Sequence, residues 1–214
     1  MIISRGRNYI FVHIPKTGGT SMALALESKA MADDIMLGDT PKAVKRRKRV
    51  EGIDTTGRLW KHSTLRDIEG LVTADEISEA FVFTMVRNPW DRLVSYYHWL
   101  KAQSFDHVAV TAAQTLPFSE FLRNPLVAGG LRTATFGSYV IAPDGAEQCD
   151  MFVRLEHLDE DLPKLEDALG LKLGAFPSEN ASTRPDVRDI YSAADRDFVA
   201  ELCAQDIARF DYRF

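Results

Sequence analysis

Residues 14–21, Ile14-Pro15-Lys16-Thr17-Gly18-Gly19-Thr20-Ser21, gather a lysine, two glycines and three hydroxyl side chains. Glycine lets a backbone turn tightly and bring its N–H groups close to a ligand. At a helix N-terminus those N–H groups and the helix dipole favour an anion. Lys16 adds a full positive charge, and Thr17, Thr20 and Ser21 add hydroxyl donors. Such a loop is an anion cradle suited to a phosphate or a close relative. It is not the GxxxxGK[ST] loop of nucleoside triphosphatases, in which lysine follows the second glycine. Here Lys16 precedes both glycines. A plain strand-to-helix turn would use the glycines but needs neither the lysine nor the hydroxyls.

A second group of chemistry-bearing residues follows at Val86-Arg87-Asn88-Pro89-Trp90-Asp91-Arg92-Leu93-Val94-Ser95-Tyr96-Tyr97. Arg87 ends an apolar run, at the strand end where open α/β sheets hold their ligands. Its guanidinium suits bidentate contact with a phosphate. Ser95, about two helical turns further on, adds a hydroxyl. Two phosphate sites on one sheet suit a nucleotide phosphorylated at both ends of its ribose. The competing reading pairs Arg87 and Arg92 with Asp91 or another carboxylate.

These residues need strands and helices to hold them. Tyr9 to Ile14 reads as a strand stopped by Pro15, and Thr20 to Met31, rich in Ala, Leu and Met, as a helix. Residues 33–57 read as a polar loop with a short helix, and 58–62 as a short strand. Thr73 to Glu76 has capping-box spacing. Ala80 to Val86 is apolar enough for a central strand buried on both faces. Asn88 offers an N-cap and Pro89 suits the first turn. Apolar residues at 3–4 spacing then carry that helix to about Ala102.

Further helices are expected at 118–123, at 160–169 with Gly170 as the stop, and at 192–210. A strand is expected at 151–155 and a Gly/Thr-rich loop at 128–137. This βα alternation implies one α/β domain over residues 1–214, with a central parallel sheet flanked by helices.

The 214 residues are 45% hydrophobic and 27% charged, with a net charge of −5. That balance excludes a disordered chain and a generally basic nucleic-acid binder. No apolar run approaches the roughly 20 residues of a membrane helix, and the N-terminus lacks a signal-peptide pattern, so a cytoplasmic protein is expected. Cys149 and Cys203 have no CxxC spacing, which argues against a zinc site or disulfide framework. Lys42 to Arg49, KAVKRRKR, carries six positive charges and no negative ones. It reads either as a solvated loop or as a patch that draws an anionic acceptor.

PKTGGTS at 15–21 and VRNPWDRLVSYY at 86–97, with Lys16 and Arg87 71 residues apart, resemble the two nucleotide signatures of sulfotransferases that use 3′-phosphoadenosine 5′-phosphosulfate (PAPS). The match is nearer to the carbohydrate-directed branch, which includes heparan and chondroitin enzymes and many short bacterial proteins. It extends to KHSTLRDI (61–68), RLEHLDEDL (154–162), Asn180-Ala181-Ser182 and the C-terminal helix.

This resemblance implies a P-loop-like sulfotransferase fold and PAPS as sulfate donor, with no metal. Lys16, Thr17, Gly18, Gly19, Thr20 and Ser21 would hold the 5′-phosphosulfate. Arg87 and Ser95 would hold the 3′-phosphate, and Arg184 would close over the nucleotide. His62 matches the family's general base, with Lys16 at the leaving group; position 64 is Thr64 rather than a second histidine.

The acceptor would be a hydroxyl of a carbohydrate or glycoconjugate, an anionic glycan among them, met by the segments 33–57 and 103–137. Trp60, Trp99 and Phe136 are sugar-platform candidates, each with core packing as the alternative. His13 and His98 read as packing or surface residues, and His107 and His157 fit no pattern. Two other classes stand beside this reading: a P-loop-like nucleotide kinase or NTPase, and a non-catalytic binder of adenosine 3′,5′-bisphosphate.

Overall fold

The two apolar runs that bracket the motifs, 9–12 and 81–86, lie side by side in a computed structural model that describes residues 1–174 and 187–214. The chain divides into two compact units: Met1–Val86 with Gly137–Ala181, and Arg87–Phe136 with Ser182–Phe214.

The first unit contains the sheet. Its strands are β1 (Ile2–Ser4), β2 (Tyr9–Val12), β3 (Ile35–Met36), β4 (Phe81–Val86) and β5 (Met151–Arg154), in spatial order β3-β1-β2-β4-β5. β2 runs parallel to β4, pairing Tyr9 with Phe81 and Val12 with Thr84, and β4 runs parallel to β5. The centre is parallel, as expected. β1 and β3 are additions that make the sheet mixed, because both pair antiparallel. β1 is too short for periodicity to reveal it. A tight turn at Arg5–Asn8, closed by Asn8 N–H on the Arg5 carbonyl (3.2 Å), folds it back on β2. Two strands joined by so short a link must run antiparallel.

In chain order the helices are α1 (Gly19–Ser28), α2 (Pro41–Arg46), α3 (Ala74–Glu79), α4 (Pro89–Lys101), α5 (Val108–Thr115) and α6 (Phe118–Arg123). They continue with α7 (Pro125–Thr133), α8 (Leu158–Leu169), α9 (Val187–Ile190), α10 (Ala193–Leu202) and α11 (Ala204–Phe210). Alternate side chains send the sheet's two faces into two cores. Tyr9, Phe11, Phe83, Met85 and Val153 pack with Met22 and Leu26 of α1 and Leu165 of α8. Ile10, Val12 and Val82 pack with Leu65, Ile68, Ile77 and Val140. Thr84, wholly buried in this apolar strand, donates its hydroxyl proton to the Val12 carbonyl at 2.7 Å. That bond removes the cost of an unpaired hydroxyl.

In the second unit, α4 begins as its sequence dictates. Asn88 Oδ1 accepts from Trp90 N–H (3.1 Å), with Pro89 at the first helical position. Trp90, Leu93, Val94, Tyr97 and Leu100 are buried.

Several local expectations are corrected. Residues 58–62 form a turn rather than a strand, because the Ser63 hydroxyl accepts from Trp60 N–H and lies 2.9 Å from the Arg58 and Trp60 carbonyls. Much of the expected 128–137 loop is helical: Asn124 Oδ1 caps α7 through Leu126 and Val127 N–H, and the helix runs to Thr133. The final helix breaks at Cys203 (φ −108°, ψ 21°) into α10 and α11. Beyond the break Asp206 is aimed at Phe136, accepting its N–H at 3.1 and 3.2 Å.

Candidate active site

β2 ends at Val12, and the chain leaves the sheet through His13-Ile14-Pro15 into the glycine loop. Lys16 has φ 67° and Gly18 φ 88°, so two left-handed residues turn the backbone into α1. Gly18 is the N-cap and its carbonyl receives the first helical bonds, from Ser21 and Met22 N–H (3.1 and 3.3 Å). The N–H groups ahead of these belong to the helix's first turn, which has no carbonyl partner within the helix.

Each glycine is dictated sterically. A Cβ on Gly18 would stand 2.9 Å from Leu155 Cδ1 in a left-handed conformation that disfavours side chains anyway. A Cβ on Gly19 would stand 2.1 Å from His13 Cδ2 and 2.5 Å from its Nε2. The loop therefore lies directly on the His13 imidazole.

The three hydroxyls differ in their surroundings. Thr17 is wholly buried and donates to the Ile14 carbonyl at 2.9 Å, closing the loop on itself. Ser21 is buried, while Thr20 is exposed. Lys16 is half-buried at the loop's head.

His62 belongs to the same unit. Its Nδ1 lies 2.7 Å from the His13 carbonyl oxygen. A carbonyl can only accept, so this bond requires the proton on Nδ1 and makes Nε2 the basic nitrogen of the neutral ring. Two edge-on aromatic contacts fix the ring plane, to His13 with centroids 4.6 Å apart and to Trp60 at 5.0 Å. Trp60 itself is 42% exposed. Thr64 is turned to a local role, its N–H bonded to Asp67 Oδ2 (2.7 Å) and its hydroxyl accepting from Asp67 N–H (3.2 Å).

His13 is a packing residue, one of the two readings its place in the strand allowed, and it also positions His62. Its side chain is 6% exposed, stacked on Phe11 (5.9 Å) and pressed against Gly19, and its carbonyl holds His62. Burial drives its imidazole well below the ordinary histidine range, and the nearby N-terminal amine, His62, Lys61 and Lys16 push the same way. It is therefore neutral beside the two candidate catalytic groups. Period-two alternation supplied the missing signal, since Tyr9, Phe11 and His13 share a parity and the first two face α1.

Arg87 and Ser95 lie in the second unit. Arg87 directly follows β4 in the chain, and its side chain stands 3.9 Å from Asp91, one helical turn on. Ser95 is buried on α4, 3% exposed. Arg92 sits over the Phe136 ring at 4.9 Å, and Phe136 is wholly buried, which removes it as a sugar platform. Arg184 lies outside the described residues, as do Asn180 and Ser182.

The basic run forms α2 and a following 3-10 turn, Arg47–Val50. Lys42 Nζ donates to the Glu27 carbonyl (2.7 Å), Arg46 to that of Asp34 (3.1 Å) and Arg49 to that of Ala32 (2.6 Å). Half of its cations thus tie α2 to the end of α1 and the approach to β3.

With this geometry in hand, the model of the sulfotransferase family matches residues 1–213. No curated protein sequence matches the chain. Among solved structures, mouse sulfotransferase SULT7A1 complexed with PAP is similar at a TM-score of 0.50 and 14% identity, covering 98% of this chain and 87% of that one. A sulfotransferase from Alicyclobacillus acidocaldarius gives a TM-score of 0.45 and 19% identity, covering 97% and 96%.

Proposed function

Because the chain belongs to the sulfotransferase family and is a sulfotransferase enzyme, we propose that it moves a sulfuryl group from PAPS to an acceptor hydroxyl on a carbohydrate or glycoconjugate. Both units act as one sulfotransferase domain in this reading, since a single family match runs through them. A cytoplasmic location is part of the proposal; no described helix is long and apolar enough to cross a membrane.

One observation carries the mechanism. The anion cradle and the candidate base are tied to one residue: His13 packs its ring under Gly19 and gives its carbonyl to His62 Nδ1. His62 Nε2 accepts the acceptor's proton, the role for which a neutral imidazole near pH 7 is suited. Lys16 meets the negative charge on the departing nucleotide oxygen. The amides of Gly18, Gly19 and Thr20 and the exposed Thr20 hydroxyl hold the 5′-phosphate. Thr17, whose hydroxyl is engaged with Ile14, keeps the loop closed, and Ser21 supports it from the first turn of α1. Arg87 and Ser95 take the 3′-phosphate, and Arg184 covers the nucleotide. The bound donor supplies the sulfuryl group; the chain's part is to orient, neutralise charge and move one proton.

Titration calorimetry tests the donor assignment. Adenosine 3′,5′-bisphosphate should bind more tightly than ATP with magnesium; equal or weaker binding would overturn it and favour a nucleotide kinase. Transfer of labelled sulfate distinguishes the enzyme from a non-catalytic binder, because the binder needs no base at His62.

A further inference from the structure

A cavity of about 210 Å³ opens in the first unit beside the cradle and belongs to none of the roles above. Thr20 and His13 stand in its wall, the first an exposed hydroxyl of the glycine loop and the second the residue that holds His62. The rest of its surface is mainly apolar, with Ala23 and Leu24 from α1 facing Met36 and Leu37 at the end of β3. Lys61, the neighbour of His62, and Asp39 complete the rim, and they pair with each other at 2.8 Å. Ala43 of α2 lines it too, so the carbonyl contacts of the basic run hold one of its walls.

We propose that this cavity is the acceptor subsite, and that it takes an uncharged unit of one six-membered ring with its hydroxyl directed toward Thr20 and His62. The assignment rests on the sulfotransferase reading and deepens it. Size matches one ring: an apolar cavity of about 150 Å³ holds a benzene molecule, so 210 Å³ has room for one substituted ring. Lining sets the polarity. A saturated ring lays its C–H faces on Leu24 and Met36 at little desolvation cost, whereas a buried carboxylate or sulfate needs a dedicated cation. The Lys61 side chain in that lining is already bonded to Asp39, whose carboxyl that hydrogen bond holds below its ordinary range. Arg47 also approaches Asp39, at 3.8 Å. With Lys61 engaged by Asp39 and the rest of the lining mainly apolar, the preferred acceptor is a neutral terminal ring rather than an internal residue of a polyanionic glycan. In the transfer, the acceptor oxygen–sulfur bond forms, the sulfur–oxygen bond to the bisphosphate breaks, and the hydroxyl proton passes to His62.

Gly38 supplies the test. It lines the cavity without belonging to the cradle, its φ is not positive, and a Cβ there meets Lys61 Cβ at 3.7 Å and Ala43 Cβ at 4.0 Å, ordinary contact distances. Gly38→Phe should fill the cavity, and Leu24→Trp from α1 gives an independent block. Saturation-transfer NMR on the full chain would use cyclohexanol and methyl β-D-glucopyranoside as neutral rings, with a sulfated disaccharide as the anionic counterpart. A signal for either neutral ring in the wild type, reduced at least fivefold in the blocked variants while the Kd for adenosine 3′,5′-bisphosphate changes less than twofold, supports the subsite. The proposal is overturned if neither ring gives a signal, if the signal survives both blocks, or if the sulfated disaccharide displaces the ring at lower concentration. Failure of the bisphosphate to bind the wild type would instead overturn the donor reading, and it is measured separately.

Discussion

Adding one methyl group at Gly19 tests whether the cradle and the base depend on a single contact. In Gly19→Ala the new Cβ falls 2.1 Å from His13 Cδ2, 2.5 Å from Nε2 and 2.9 Å from Cγ. Ordinary carbon contacts begin near about 3.5 Å, so the imidazole or the loop must move by more than about 1 Å. The ring has little room, stacked on Phe11 and edge-on to His62. Overpacking of this kind costs about 1–3 kcal/mol, which for a chain of this size lowers Tm by roughly 2–12 °C.

Catalysis should suffer more than stability. The His13 carbonyl that holds His62 Nδ1 moves with its residue, and a misplacement of about 1 Å costs on the order of 100-fold in rate. Calorimetry, thermal melting and sulfate transfer should be compared for Gly19→Ala, His13→Ala and the double variant. Gly129→Ala serves as a control, since a Cβ there meets nothing within 4 Å. Removing the ring should relieve the clash, so the double variant should melt above the sum of the two single effects. Additive losses, or a Gly19→Ala protein with wild-type melting and wild-type transfer, would show that cradle and base do not depend on this contact.

Other outcomes follow from the same geometry. His62→Ala should lower kcat by about 10²–10⁴-fold while leaving bisphosphate affinity within twofold, and Lys16→Ala should weaken both; calorimetry with single-turnover transfer separates the two. In the second unit, burial opposes ionisation of Asp195, but hydrogen bonds from Ser119, Ser192 and Arg123 outweigh it and hold the carboxyl at about 2. Its contribution to stability is therefore present above about pH 4 and lost as pH falls toward 2, and Arg123→Met should move the acid-unfolding midpoint to higher pH. Burial pushes the Cys203 thiol up to about 11, so peptide mapping after iodoacetamide treatment at pH 8 should find it largely unmodified.

Neighbours along the chain are enough to specify several parts of this protein. The glycine loop between Val12 and α1, the Asn88–Pro89 start of α4, the Thr73–Glu76 capping box and the Gly170 stop are local stereochemistry, and each appears where its residues required. The parallel core of β2, β4 and β5 was legible because its strands are mainly apolar runs, broken only by Thr84 in β4 and Arg154 at the end of β5.

Contacts between distant residues were decided only in three dimensions. β1 and β3 hold three and two residues, too few for a period; β1 exists because β2 offers an edge to pair with, and β3 because β1 then offers the next one. Lys42–Arg49 looked like spare charge, but Arg46 and Arg49 spend theirs on carbonyls of residues that precede them by a dozen or more positions. His13 shows the difference most directly. Its parity in β2 was readable, but its value comes from Gly19 lying on its ring and His62 reaching its carbonyl across 49 residues of chain. A motif lists the groups that chemistry requires. Tertiary packing sets which nitrogen carries the proton, which hydroxyl faces outward and which lysine is already paired.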